Sequence, residues 1–474
     1  MEEMECEEAE VRPWSRRRSL PQYLAALSAT LTAFCSSSSL VWYGIARGML
    51  EESAAPTFGQ QASAYRLQLL GAMLGALVAG RLLQWRGPRG MLLLLVVPFV
   101  LGHAVVLALH THRAWLFLAS FLFGVATGAM HVAAPVYLVE ILEDSNRGKL
   151  GCFIHLMFSS GILFVDLLNL ADSYVLLAAC CFVVPLVSTV VLFWMPESPR
   201  HLLARNRRQE ARASLRWLRG GHRDVAGELQ SLQASVDEVA RPVGSWRDLA
   251  CSPVAAKALG ISMTLVAFQE FSGHDFVEPM SMRFLVLASS STSNLTILAV
   301  VAVPVAGSCL GLVLADRLGR RVLLLTTGLV VTVSLLFLGV YFLPDDPAYT
   351  WVPVLPAFVF TLAFNVGLGP LLWTLMAELM PPNVRGLGAA LVGMYFWLLK
   401  LLMSWPFYSM TWAVHRYIYW CFFPCCILAI VVVYFIVPET NGKSVRQVQE
   451  EMKQCMCSLR QCTLRTPGSY RSRY

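Results

Sequence analysis

Apolar runs about as long as a bilayer is thick recur along almost the whole chain, and they constrain it more than any other feature. A bilayer-spanning helix needs ~20 predominantly apolar residues. The sequence offers twelve such windows, near 22–46, 62–84, 90–110, 114–142, 149–171, 174–195, 254–286, 293–315, 322–343, 351–379, 387–411 and 416–437. Hydrocarbon offers no water to backbone N–H and C=O groups, so a spanning segment is a helix or part of a closed barrel. Runs of this length read as helices, and the expected fold class is an all-α membrane protein. Charged residues make up only 14% of the 474, against roughly a quarter in a soluble domain.

The net charge of +7 falls in the loops between runs, so it reads as a topology signal rather than a nucleic-acid surface. Arg86 and Arg89, Arg147 and Lys149, the 196–250 segment, Arg317 to Arg321, Arg385 and the tail from Lys443 fall on one side of an alternating path. An excess of Arg and Lys marks the cytoplasmic side. The opposite loops carry Glu51, Glu52, Asp172, Asp345 and Asp346, with His112-Arg113 and His415-Arg416 as exceptions. Arg16-Arg17-Arg18 before the first run places the N-terminus in the cytoplasm, and the C-terminus follows it there. The first nineteen residues lack the apolar core of a signal peptide.

The expected organisation is a tail over 1–20, a six-helix bundle over 21–196, a cytoplasmic helical linker over 197–252, a second bundle over 253–440 and a tail over 441–474. Within the linker, 200–205 and 211–218 set apolar residues at helical spacing with arginines between them. They read either as helices lying on the membrane surface or as a latch bridging the halves. Of the thirteen cysteines, Cys35, Cys180, Cys181, Cys309, Cys421, Cys425 and Cys426 lie inside runs. They read as small packing residues with no zinc-like spacing, and neither a metal nor another cofactor is expected. Cys455, Cys457 and Cys462 either carry palmitate or belong to an unmodified basic tail. Asn294-Leu295-Thr296 is a glycosylation sequon.

Charged turns are written twice. Ala315-Asp316-Arg317-Leu318-Gly319-Arg320-Arg321 separates two apolar runs, and a degenerate copy occupies 80–90 in the first half. Such charge is too costly for hydrocarbon and belongs at the membrane surface. Four further motifs pair a span-end carboxylate with a nearby cation. They are Pro135 to Glu140 with Arg147, Pro196-Glu197-Ser198-Pro199-Arg200, Gly369 to Glu378 with Arg385, and Pro438 to Ser444 around Glu439. Arginine's planar fork suits bidentate contacts that break and re-form. Glu140, Arg147, Glu197, Arg200, Asp316, Arg317, Arg320, Glu378, Arg385 and Glu439 are thus candidates for a salt-bridge lock that gates the inner side.

Together these motifs resemble the sugar porter family of the major facilitator superfamily, that of the facilitative glucose transporters, over roughly 20–445. The opening Arg16 to Phe34 resembles its arthropod trehalose-transporter-like branch. The resemblance implies two six-helix bundles around a central cavity, exposed alternately to each side. It further implies a hexose or disaccharide such as trehalose as substrate, facilitative transport, no catalysis, membrane lipids as neighbours, and a monomer in the plasma membrane. The family's seventh-helix motif stands here as Gln269-Glu270-Phe271-Ser272-Gly273-His274-Asp275, with Glu270 and Asp275 in place of amides. Trp373 and Trp397 match the family's two tryptophans, and His155 stands at its fifth-helix glutamine. Gln269, Glu270, Asp275, Trp373, Trp397 and His155 are the substrate-site candidates. Gln84-Trp85 and Pro88 depart from the family's first-half turn, which predicts an inner gate held mainly from the second half. On that expectation Arg317→Ala damages state switching more than Arg86→Ala.

Glu270, His274 and Glu278 are spaced four apart and share one face of a regular helix. With Asp166 they form a candidate titratable cluster, since ionisable residues inside a membrane are functional candidates by default. The cluster reads either as a site for a cation, a proton or a basic solute, or as a hydrated wall whose groups pair locally. The first span has no acid and the fourth no arginine, so the pairing that couples protons in related porters is missing. A polyol or organic-cation carrier and a transport-dead receptor on the same scaffold stay open beside the sugar transporter.

Overall fold

The computed structural model describes residues 15–49, 57–108, 114–144, 146–221, 225–237, 244–289, 294–343, 351–409, 412–443 and 445–453. Cys455, Cys457 and Cys462 lie outside them, as does the side chain of Asn294, whose backbone opens the helix Asn294–Leu318. Among the described residues, twelve helical spans are long and apolar enough to cross a membrane. In the first half they are Leu20–Trp42, Gly59–Arg86, Pro88–Leu107, Trp115–Ile141, Arg147–Asn169 and Tyr174–Phe193. In the second half they are Pro253–Val286, Leu298–Leu318, Arg320–Tyr341, Val354–Leu379, Arg385–Trp405 and Tyr417–Ile436. They form two six-helix bundles, and no strand occurs among the described residues.

Small residues set how closely the spans pack. Lipid tails are as apolar as side chains, so membrane helices associate where Gly and Ala let backbones approach. A Cβ at Gly75 would overlap the Val125 carbonyl, and one at Gly128 the Ala72 carbonyl. Spans 2 and 4 therefore meet backbone to backbone. The seam between the halves is built alike. On span 2, a Cβ at Gly80 would lie 2.6 Å from the Ala390 Cβ and 3.0 Å from the Gly386 carbonyl of span 11. One at Gly393 would lie 3.4 Å from the Ala76 Cβ.

The charged turns form a clasp in each half. Span 9 begins after Gly319, whose φ of 85° suits a residue without a Cβ. Its first N–H groups have no partner within the helix. The Glu439 carboxylate accepts the Arg320 N–H at 3.0 Å and the Arg321 N–H at 3.0 Å. In the first half Gly87 has φ 84°, and Glu197 accepts the N–H groups of Arg89 at 3.0 Å and Gly90 at 3.1 Å. Pro88 stands where Arg320 does and has no N–H, so the carboxylate grips one residue further along. Arg89 and Arg321 also correspond: each donates to a carbonyl at the end of its half's last span, Phe193 and Tyr434. Burial pushes the Glu197 carboxyl upward, and its backbone N–H partners pull it back. The departures at Gln84-Trp85 and Pro88 thus leave the backbone part of the first-half turn intact. The lost side chains are not the groups that make the clasp.

The segment between the halves folds into the helices Pro199–Ala204, Arg208–Leu218, Ala226–Asp237 and Trp246–Cys251. Leu202, Leu203, Ala211, Leu215, Val225, Leu229 and Val236 share a small core. It touches both halves: the Gly244 carbonyl accepts from Gln84 at 3.0 Å, and the Gly244 N–H donates to the Asn383 carbonyl at 3.0 Å. Arg205 donates to the Gln84 and Trp85 carbonyls.

Arg317 is exposed and makes no ion pair among the described residues; it lies at the end of span 8, whereas Arg320 starts span 9 beyond the Gly319 turn. Arg320 is 1% exposed and pairs with Glu378 at 3.5 Å. Arg320→Ala strands a buried carboxylate, and its expected cost is about 3–5 kcal/mol. Arg317→Ala is expected to stay within ~0.5 kcal/mol of the parent. Thermal unfolding of the purified protein in neutral detergent checks the ordering, and an Arg317 effect equal to that of Arg320 would refute it.

Candidate functional site

Spans 4, 5, 7, 10 and 11 converge on a polar and aromatic centre between the halves. Span 7 is broken there. Its first helix ends at Glu270 and the second starts at His274, with Gly273 at φ 80° between them. A Cβ at Gly273 would also lie against the Phe422 ring. The spacing of Glu270, His274 and Glu278 therefore does not yield one continuous ladder, because the left-handed residue turns the second helix away from the first. The group splits in two.

Glu270, 7% exposed, faces Lys400 on span 11 at 3.5 Å, and Asp275 meets the same ammonium. Lys400 also lies 5.2 Å from the Phe396 ring centroid, within cation–π range. His274 pairs with Glu278 at 3.0 Å and stacks on Phe364 with centroids 3.6 Å apart. Glu270 and Asp275 thus share one cation, and Glu278 has His274. Asp166 makes no ion pair among the described residues and lies within electrostatic reach of Glu278.

His155 joins the halves: its Nε2 lies 2.7 Å from the Asn365 Oδ1 on span 10, while the Asn365 amide donates to the Thr361 carbonyl. Gly369 explains part of this geometry, since a Cβ there would lie 2.6 Å from the imidazole. Nearby, the Ser159 and Ser308 hydroxyls lie 3.2 Å apart across the same seam.

Around His131 on span 4 the aromatic rings close in. Its centroid is 4.8 Å from Trp373, 5.1 Å from Trp397 and 5.8 Å from Phe396. Its Nδ1 lies 2.9 Å from the Thr127 carbonyl. Among these buried groups, the Gln269 Oε1, the Trp397 Nε1 and the His274 Nδ1 have no hydrogen-bond partner. Unpaired buried donors and acceptors cost ~1–3 kcal/mol each.

Lys400, His131 and Asn365 were missing from the sequence-based set. A lone lysine in the apolar run Phe396 to Met403 and an asparagine within Thr361 to Val366 are visible signals. The place of His131 depends on tertiary packing alone.

On the basic face the lock is asymmetric. Arg385 at the start of span 11 faces Glu140 at the end of span 4, 3.7 Å away. Ser198 donates to the other Glu140 oxygen. Arg147, in the position equivalent to Arg385, pairs with Asp144 of its own half, and Arg320 takes Glu378 instead. Asp316 packs against the backbone at Gly148, where a Cβ would overlap its carboxylate. The halves are closed against each other on this face.

Residues 50–452 match the family described as Sugar (and other) transporter. The chain belongs to this family. It is 30% identical to a facilitated trehalose transporter Tret1-2 homolog of Drosophila simulans over 393 residues, which are 81% of this chain and 80% of that protein. It is also 30% identical to the facilitated trehalose transporter Tret1 of Bombyx mori, over 81% of this chain and 78% of that one. Its fold is similar to the proton:xylose symporter XylE bound to 6-bromo-6-deoxy-D-glucose. The TM-score is 0.80 at 21% identity, covering 92% of this chain and 100% of the symporter. Against the inward-open conformation of XylE from E. coli the TM-score is 0.61 at 20% identity, covering 92% and 99%. The protein is therefore a multi-pass sugar transporter of the major facilitator fold. It works by alternating access and is not an enzyme.

Lys400→Met leaves Glu270 and Asp275 without their cation, and its expected cost is about 3–5 kcal/mol. Adding Glu270→Gln to Lys400→Met is expected to recover part of that loss, with a coupling of ~0.5–3 kcal/mol. A double-mutant cycle on thermal unfolding measures this, and strict additivity would dissolve the pair.

Proposed function

We propose that the chain carries trehalose or a similar uncharged sugar down its gradient, as a monomer in the plasma membrane. The observation that carries this reading is the pairing of a free buried acceptor, the Gln269 Oε1, with a free buried donor, the Trp397 Nε1. One sugar hydroxyl satisfies each, and the rings of Trp373, Trp397 and Phe396 suit the apolar faces of a pyranose. The trehalose transporters among its relatives support the disaccharide assignment. Facilitated rather than proton-coupled movement is supported by the first span, which has no acid, and the fourth, which has no arginine.

By the positive-inside rule the basic face and both termini lie in the cytoplasm. The contacts on that face then make an inner gate, in which Glu140 with Arg385 joins the halves and Arg320 with Glu378 and the clasps at Glu197 and Glu439 brace each half from within. The segment between the halves acts as a latch, anchored by Gly244 to both. Lys400 bridges Glu270 and Asp275 and so fixes the polar wall of the sugar site.

Uptake of radiolabelled trehalose and glucose into proteoliposomes tests the reading. Saturable trehalose flux that does not change with an imposed pH gradient is the expected result. Absence of saturable flux for any sugar tested would favour a receptor role and sink the proposal. Trp397→Phe keeps the ring and removes the N–H. It is expected to raise KM about five- to tenfold with kcat little changed, as the loss of one hydrogen bond implies.

A further inference from the structure

A cavity of about 720 Å³ lies on the basic face, between the ends of spans 4 and 10, the starts of spans 5 and 11, the linker helices and residues 445–449. Its size is that of a small-molecule site. Arg147, Arg200, Arg219, Arg385 and Arg446 line it, with Glu140, Glu143, Asp144 and Glu228; Arg446, at the outer edge, pairs with Glu450. Arg219 is fully engaged, by Glu143 at 3.1 Å, Glu228 at 2.6 Å and the Ile141 carbonyl at 3.2 Å. Arg147, Arg200 and Arg385 are not.

Arg147 is 7% exposed and has one carboxylate partner, Asp144, whose side chain is 47% exposed. Arg385 is 3% exposed and faces only Glu140 at 3.7 Å, beyond hydrogen-bond reach. The Nε atoms of both arginines are buried without a hydrogen-bond partner. Arg200 donates to a neutral group, the Ser235 hydroxyl, at 3.2 Å. Burial disfavours its charge, and Glu140 offsets only part of that. Arg385 is near enough to both Arg200 and Arg147 to be repelled by them. Glu140 and Asp144 offset two of the three charges, so the cluster keeps a positive excess and unused donors, which call for an anion with several acceptor oxygens. A phosphate group meets both needs, and guanidinium forks bind it bidentately.

We propose that this cavity binds a phosphate-bearing anion on Arg147, Arg200 and Arg385, and that the bound anion holds the basic face closed. Arg147 belongs to the first half, Arg385 to the second and Arg200 to the segment between them, so one ligand ties all three. The closure rests on the reading of this face as the inner gate, whereas binding does not. The phosphate belongs either to a soluble compound or to a lipid headgroup.

Thermal unfolding of the full-length protein in neutral detergent, with inorganic phosphate or ATP against sodium chloride at equal ionic strength, tests the soluble source. Reconstitution in phosphatidylcholine vesicles with and without phosphatidic acid tests the lipid source. A saturable stabilisation is expected in at least one arm. Arg200→Gln is expected to weaken it at least about tenfold, and Arg200→Lys less. No saturable stabilisation in either arm overturns the proposal, as does one that is equal in Arg200→Gln and the parent. Sugar efflux from proteoliposomes is expected to slow when the effective phosphate faces the basic side. Binding with unchanged efflux overturns the closure alone.

Discussion

A carboxylate laid across the free N–H groups at the start of a helix is the contact on which the basic face depends. Helix starts leave such donors unmatched and carry partial positive charge, so Glu197 and Glu439 satisfy both needs at once. Each also accepts from the backbone just beyond it, at Ser198 and at Asn441. That pins the end of the sixth or twelfth span to the start of the third or ninth. With these ends fixed, Glu140 falls into register with Arg385 across the seam, and Arg320 with Glu378 inside the second half. The interhalf lock is thus a second tier built on two intrahalf clasps.

The same logic of supplied and missing partners distinguishes the centre from the rim. At the rim, carboxylates and arginines find one another or the backbone. At the centre Lys400 quiets Glu270 and Asp275, and Glu278 is paired with His274. Beside these ionic contacts the centre offers an amide oxygen, an indole N–H and a wall of rings. A neutral polyhydroxylated solute is complementary to that remainder, whereas a cation would have to compete with Lys400.

The twelve spans were legible because bilayer thickness imposes a length on each, and few other segments can meet it. The charged turns were legible as positions for the same reason. Which atoms act in them was not, because letters report side chains and the clasp uses backbone. Pro88 and Gln84 look like damage in the sequence, yet Glu197 still grips Arg89 and Gly90. Conversely, Arg317 looked essential and points outward. Lys400 and Asn365 were within reach of the rule that flags polar residues in apolar runs. The break at Gly273 was not, since a glycine within a span is compatible with a continuous helix until its neighbours are known. Trp373, Trp397 and Gln269 could be placed from motif alone, but the wedge of His131 among the rings required the packed bundle.

The seam between spans 2 and 11 has a mechanical consequence. Gly80 and Ala76 meet Gly386, Ala390 and Gly393 with little side chain between them. Interdigitated bulky residues would act as gear teeth, and each would have to lift from its socket before the halves could turn. A nearly bare surface acts instead as a bearing, along which one half rolls on the other with little change in contact area. Resistance to motion is then concentrated in the few charged contacts at the rim and the few hydrogen bonds at the centre. A solute or an anion can bias those contacts directly, without having to repack a core.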